Sequence, residues 1–257
     1  MDLQLHGKTA LIPGSSSGLG LAIARALSAE GANVVLCGRR TDLVEAEAAR
    51  LPNALGIALD LAADAAPADL VAAATARFGP IDILVLNGGG PPHENAENVT
   101  DDQVLAAVHT LLLQQIRLTR LVLPGMRERG WGRILSVGSS GVQQPIPGLA
   151  LSNMARAGLA GYLKTLAAEV AADGVTVNMV IPGRIDTDRV ASLDRSVAAH
   201  AGLSAEAARI RSEATIPLGR YGRPEEYAAV VTFLAGEGAS YVTGTQLRVD
   251  GGLVRAH

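Results

Sequence analysis

In the stretch "LALSNMARAGLAGY", Ser152 and Arg156 stand four residues apart, so on a helix they share one face. A hydroxyl beside a guanidinium can polarise an oxygen and hold negative charge. Neither is a ready proton donor near neutral pH. A serine hydroxyl is a far weaker acid than a phenol of pKa about 10, and a guanidinium keeps its proton. Near the start, "IPGSSSGLGLAIA" sets Gly14, Gly18 and Gly20 in GxxxGxG spacing between an apolar run and a helical pattern. Glycines there let the backbone turn sharply and lie against a pyrophosphate, while the helix that follows offers its first N–H groups and positive dipole end. A plain tight turn is the competing reading of the loop.

Further residues complete a dinucleotide site. Arg39 and Arg40 follow "NVVLCG", where an acid would bond the ribose hydroxyls of NAD and an arginine instead takes a 2′-phosphate. With no acid at that strand end, the pair favours NADP(H), with NAD(H) as second choice; a solvated arginine pair opening a helix is the alternative. Asp60, closing "IALD", is placed to meet the adenine. The glycines of "LNGGG", which begins its polar part with Asn87 and Gly88, let backbone lie against a nucleotide ribose. No His/Cys/Asp cluster has metal-ligand spacing, so no metal is expected.

The elements that must position these residues follow from periodicity. "KTALI", "NVVLC", "ALGIAL", "DILVL", "GRILSV", "VTVNMVI" and "TQLRV" read as strands. Between most of them lie helical patterns, including one long run, "DDQVLAAVHTLLLQQIRLTRLVLPGMRERG", and the run that carries Ser152 and Arg156. Strand–helix alternation implies right-handed crossovers: an α/β, Rossmann-type doubly wound parallel sheet of about seven strands with helices on both faces. Residues 1–257 read as one domain. Residues 183–217 break the rhythm with a polar, helix-prone insertion past a strand end, where such folds bind ligands, and read as a substrate lid.

Composition bounds the rest. A formal charge of −3 gives no electrostatic reason to expect nucleic acid or an anionic membrane as partner. The single cysteine, Cys37, excludes an internal disulfide and fits a reducing compartment. "MDLQLHGKTALI" lacks the features of a signal peptide, and no apolar run reaches the ~20 residues of a membrane span. The expectation is a cytoplasmic protein acting on a small molecule.

The pieces "PGSSSGLG", "LNGGG", "GRILSVGSS", "VTVNMVIPGRIDT" and "GRPEEYAAVVTFLAGEGASYVTGTQLRVDGG", in this order, resemble the short-chain dehydrogenase/reductase family. The layout is that of its 3-oxoacyl-carrier-protein reductase-like members, and the likeness spans nearly the whole chain. It implies that Ser16 lies in the cofactor loop and that Asn87 braces the central sheet. Pro182, Gly183 and Ile185 would line the nicotinamide pocket, and Thr187 would hold the carboxamide. The C-terminal "SYVTGTQLRVDGG" resembles the segment that packs subunits into homotetramers.

The same resemblance marks departures. Pro13 stands where the family loop has threonine. The family's reactive asparagine position falls at Leu111, its serine is kept as Ser139, its tyrosine position holds Ser152 and its lysine position Arg156. Tyr162 and Lys164 imitate a Tyr/Lys pair, but two residues apart they face different ways and read as core and surface. His93, on the loop after the fourth strand, reads as solvated or as a group near the site mouth. Gln143 and Gln144 could bond a polar substrate or cap their loop. Two readings stand. One is an NADP(H)-dependent oxidoreductase interconverting a carbonyl and an alcohol through an atypical proton relay of Ser139, Ser152 and Arg156. The other is a catalytically silent nucleotide-binding scaffold or sensor.

Overall fold

The computed structural model describes residues 2–255. All seven apolar runs are strands: β1 (Thr9–Ile12), β2 (Asn33–Gly38), β3 (Ala54–Ala58), β4 (Ile83–Leu86), β5 (Gly132–Val137), β6 (Val175–Pro182) and β7 (Gln246–Val249). They form one parallel sheet in the order β3-β2-β1-β4-β5-β6-β7. The helices are α1 (Gly18–Ala29), α2 (Thr41–Ala49), α3 (Ala66–Phe78), α4 (Asp101–Val108), α5 (Gln114–Glu128), α6 (Ala150–Val170), α7 (Asp188–Ala201), α8 (Ala205–Glu213) and α9 (Pro224–Ala235).

A sheet covered on both faces needs strands that are apolar throughout, and β1, β4 and β5 are buried along their whole length. Successive residues divide between two cores. Ile12, Val34 and Val180 turn toward Ile23, Leu27 and Val231 of α1 and α9. Leu11, Leu84 and Ile134 turn toward Leu70, Leu118 and Leu159 of α3, α5 and α6. From β1 the sheet grows one way through β2 and β3, and the other way through β4 to β7. The strand order therefore reverses between β1 and β4, and a crevice opens at their carboxyl ends.

The long helix expected before β5 is instead interrupted. Between α4 and α5 the chain makes one π-helical turn, His109–Leu113. Side chains draw on carbonyls there: Thr110 Oγ1 donates to Ala106 O at 2.9 Å, and Gln115 Nε2 donates to Thr110 O at 3.2 Å. The start of α4 is fixed by reciprocal bonds between Thr100 and Gln103. The insertion after β6 folds as α7 and α8. Thr187 caps α7 by accepting from Val190 N, and Gly202, at φ +63°, ends it.

Candidate functional site

At the reversal point the loop after β1 faces the loop after β4. Asn87 Nδ2 donates to the carbonyls of both Pro13 and Gly14, each at 3.0 Å, so one amide ties the end of β4 to the glycine loop. Pro13 lacks an N–H, yet its carbonyl still takes part. Ser15 is fully buried; its hydroxyl donates to Ile12 O and accepts from Cys37 N, which fastens the loop to β2. Burial pushes the Cys37 thiol up to about 11, so it stays a neutral packing group.

Close packing explains the glycines. A Cβ at Gly20 would run into the Gly14 carbonyl and come within 2.7 Å of Asn87 Nδ2. Gly18 has φ +59°, and a Cβ there would meet the Thr187 methyl at 3.8 Å, while a Cβ on Gly89 would meet open space. Ser17 precedes α1 in an extended conformation without a side-chain cap, leaving the first N–H groups of α1 to an external acceptor. A tight glycine cradle, an uncapped helix start and bare backbone opposite are the features a dinucleotide's pyrophosphate and ribose require. The residues present fit such a group.

The strand after α1 supplies the cations. Arg39 and Arg40 are both exposed, and Arg40 Nη2 lies 3.3 Å from Ser17 Oγ, folded back over the loop. Ser16 packs on Gly38, where a Cβ would approach its hydroxyl to 2.9 Å. Asp60 is exposed at the end of β3, and its carboxylate accepts from Ala62 N at 3.0 Å.

Across the crevice, Ser139 follows β5, and its Oγ accepts from Gly141 N at 3.1 Å. Asn153 then clamps the connecting loop by exchanging two bonds with the Ile146 backbone. Next to it on α6, Ser152 is 7% exposed, and no described protein group bonds its hydroxyl. One turn on, the partly buried Arg156 donates from Nη1 to Val137 O at 2.7 Å. Desolvation holds the Arg156 pKa below the usual guanidinium value; Tyr227 opposes this and the Arg189 cation adds to it. Leu111 is buried within the π turn.

Pro182 ends β6, Gly183 lies against Asp250, and Ile185 is buried beside Gly222. Thr187 closes this wall next to Gly18. Gly14, Gly18, Gly20, Asn87, Gly88, Ser139, Ser152, Arg156 and Thr187 therefore line the carboxyl edge of β1, β4, β5 and β6. Other residues lie elsewhere. Tyr162 packs on the α6-side core, which raises its pKa by burial, and Lys164 Nζ donates to Gly244 O. Gln143 bonds Gln246 on β7 at 3.3 Å, and Gln144 is exposed. His93 lies against Gly148, just ahead of α6.

Three contributors carry no sequence motif. Asn153 locks the loop beside Ser152. Gln115, buried behind Gly88, keeps its Oε1 without a hydrogen bond. Arg189, in the first turn of α7, donates to Pro91 O at 3.1 Å. Only the position of Arg189, two residues after a predicted cofactor contact, could have drawn notice to it.

A doubly wound sheet with this cradle defines a nucleotide-binding oxidoreductase class, and the chain belongs to the short-chain dehydrogenase/reductase family. A family model described as Enoyl-(Acyl carrier protein) reductase matches residues 14–254. The chain is 36% identical over 252 residues to 3-oxoacyl-(acyl-carrier-protein) reductase FabG of Vibrio cholerae, covering 98% of this chain and 99% of that one. Its fold superposes on L-sorbose reductase from Gluconobacter frateurii, complexed with NADPH and L-sorbose, with TM-score 0.94, 33% identity and full coverage of both chains. A variant of actinorhodin polyketide ketoreductase with NADPH gives TM-score 0.93 at 37% identity, covering 97% of this chain and 98% of that one. Among the described residues, no helix is long and apolar enough to cross a membrane, and no group of three or more His, Cys, Asp or Glu could hold a metal ion.

Proposed function

We propose that this chain is an NADP(H)-dependent oxidoreductase that interconverts a carbonyl and an alcohol of a small molecule, with a proton relay that lacks a phenol. The observation that carries the reading is the glycine cradle held by Asn87, opening onto Ser139 and Arg156 at the end of β5. When bound, the nicotinamide supplies or takes up a hydride. Gly14, Ser16, Gly18 and Gly20 hold the pyrophosphate, Arg39 and Arg40 the 2′-phosphate, and Asp60 the adenine. Asn87, Gly88, Pro182, Gly183, Ile185 and Thr187 bound the nicotinamide half.

Ser139 polarises the reacting oxygen, since its hydroxyl is already oriented by Gly141 N–H. Arg156 holds ribose hydroxyls and the negative charge that develops on the alkoxide. Ser152 occupies the position of the family's tyrosine acid, and Arg156 that of its lysine. The shorter side chain leaves space for a water, which delivers the proton. Residues 183–217 act as a lid, residues 1–257 as one domain, and the assembly is a cytoplasmic homotetramer.

The test has two stages. NADPH and NADH are titrated by nicotinamide fluorescence, and labelled hydride transfer from NADPH to a panel of carbonyls is then followed. Binding of neither nucleotide would end this reading. The rival reading, a silent nucleotide-binding scaffold, is favoured by the burial of Leu111 and by a hydroxyl at Ser152 too weak to act as an acid. It predicts NADPH binding with no transfer to any carbonyl.

A further inference from the structure

We propose that the substrate is an anion whose reacting carbonyl carries a carboxylate one or two carbons away, gripped between Arg156 and Arg189; this rests on the carbonyl–alcohol reading above. Strands β4 and β5 are neighbours, with Leu86 paired to Ser136, so the residues after each leave the sheet side by side. Arg156 rises from α6 to the Val137 carbonyl, the last residue of β5. Arg189 reaches from α7 to the Pro91 carbonyl, on the loop leaving β4, and packs on Gly90, where a Cβ would come within 2.8 Å of its Nη2. The two guanidiniums thus enter one crevice from opposite walls.

Each makes a single hydrogen bond, to a main-chain carbonyl, and so keeps most of its five donors unused by the protein. Their neighbours differ. Arg184 pairs with Asp194 at 3.5 Å, Arg209 with Asp186 and Glu213, and Arg220 with Glu226. Among the described residues, no carboxylate pairs with Arg156 or Arg189. Two cations facing one crevice repel, and their mutual effect on Arg156 has that sign. A planar carboxylate between them relieves the repulsion and matches the fork geometry of both. Ser139 Oγ stands two residues beyond Val137, so a carbonyl bound there brings an adjacent carboxylate toward the pair.

Cofactor phosphate is the other anion to consider. A Cβ on Gly90 would meet the Arg189 guanidinium, whereas one on Gly18, in the phosphate loop, would meet Thr187 and no part of Arg189. The geometry therefore assigns Arg189 to the substrate side.

The test is a binding measurement on the NADPH complex, independent of turnover. Oxamate and malonamate, each a carboxylate close to an unreactive carbonyl, are titrated by calorimetry against their uncharged ethyl esters. The acids are expected to bind about tenfold to a hundredfold more tightly than the esters, as charge-assisted bonds predict. Arg189→Gln should erase at least tenfold of that preference while its NADPH dissociation constant stays within about twofold, and Arg189→Lys should restore part of it. Equal binding of acid and ester overturns the proposal. So does an Arg189→Gln protein that loses NADPH affinity, which would place Arg189 on the cofactor. Failure of the wild-type protein to bind NADPH at all would instead sink the parent reading.

Discussion

Arg40 Nη2 lies 3.3 Å from the Ser17 hydroxyl, so the side chain leaving β2 returns over the loop that precedes α1. In the reading proposed above, this cation is the partner of the 2′-phosphate. NADPH is therefore expected to bind more tightly than NADH. Arg40→Asp should shrink the ratio of the two dissociation constants by about tenfold or more, because a charge-assisted partner becomes a repelling one. Arg39→Asp should shrink it less. Fluorescence titration of both nucleotides reads the ratio, and an unchanged ratio in both variants would show that neither arginine discriminates.

Gly20 is the tightest point of the cradle. Adding a methyl there drives the Gly14 carbonyl and the Asn87 amide apart. Gly20→Ala is expected to cost about 1–3 kcal/mol of stability, the usual range for overpacking, and to weaken NADPH binding as well. Gly89→Ala, which meets nothing within 4 Å, is the control and should change neither by much. A Gly20→Ala protein with wild-type melting temperature and affinity would refute the close packing.

Glu226, in the first turn of α9, ties that helix to the turn before it. Its carboxylate takes two bonds from Arg220 and one from Arg223 N–H, which hold its pKa down at about 2 against a usual 4.5. The folded value is the lower one, so this group adds stability above the usual value and loses it as pH falls from about 4.5 toward 2. Glu226→Gln should flatten the loss of melting temperature across that acid window and leave the profile above pH 6 nearly parallel to wild type. Identical acid slopes in the two proteins would show that the pairing is not felt.

The proposed tetramer has an open sheet edge to build on. Among the described residues no strand pairs with the outer side of β7, and Leu247 on it, Phe233 on α9 and Tyr241 between them are exposed. A bare edge strand with apolar neighbours invites a symmetric partner. Light scattering is expected to give four times the 26.4 kDa chain mass. The mass of one chain throughout micromolar dilution would sink the tetramer.

The strands were legible because a sheet covered on both faces needs short, mostly apolar runs, and here turn residues bound each of them. The glycine loop was legible because its spacing falls between an apolar run and a helical pattern, where a sharp turn needs residues without a Cβ. Other features depend on contacts the sequence does not encode locally. The π turn at His109–Leu113 is set by side chains that take carbonyls from the helix, and periodicity sees only an unbroken apolar stripe. Sequence position points to Arg39 as the cofactor contact; it is Arg40 that folds back to Ser17, because the turn into α2 sets the direction of each side chain. Gln143 seemed free to meet a substrate until β7 arrived beside it from 103 residues away. Arg189 reads as one more arginine of the insertion after β6 until Arg184 and Arg209 are seen paired with acids.

Ser152 and Arg156 should contribute unequally if both serve the reaction. Arg156 is desolvated, bonded to Val137 O and directed at the crevice, and a fixed cation there stabilises developing alkoxide charge strongly. Arg156→Ala is expected to lose most cofactor affinity and nearly all turnover. Ser152→Ala should change the rate by less than about tenfold, since water fills the space and the hydroxyl was never the acid. Restoring a phenol and an amine together, Ser152→Tyr with Arg156→Lys, should raise reduction of simple ketones, provided that Leu111 leaves room for the water the amine needs. Stopped-flow loss of NADPH absorbance reads all three. If wild type already reduces a carbonyl at ordinary rates of about 1–1000 per second and Ser152→Ala matches it, the proton enters by another route. His93, seated against Gly148 four residues ahead of Ser152, is then the next side chain to replace. Absence of hydride transfer from both wild type and the double variant would leave the scaffold reading in possession of the fold.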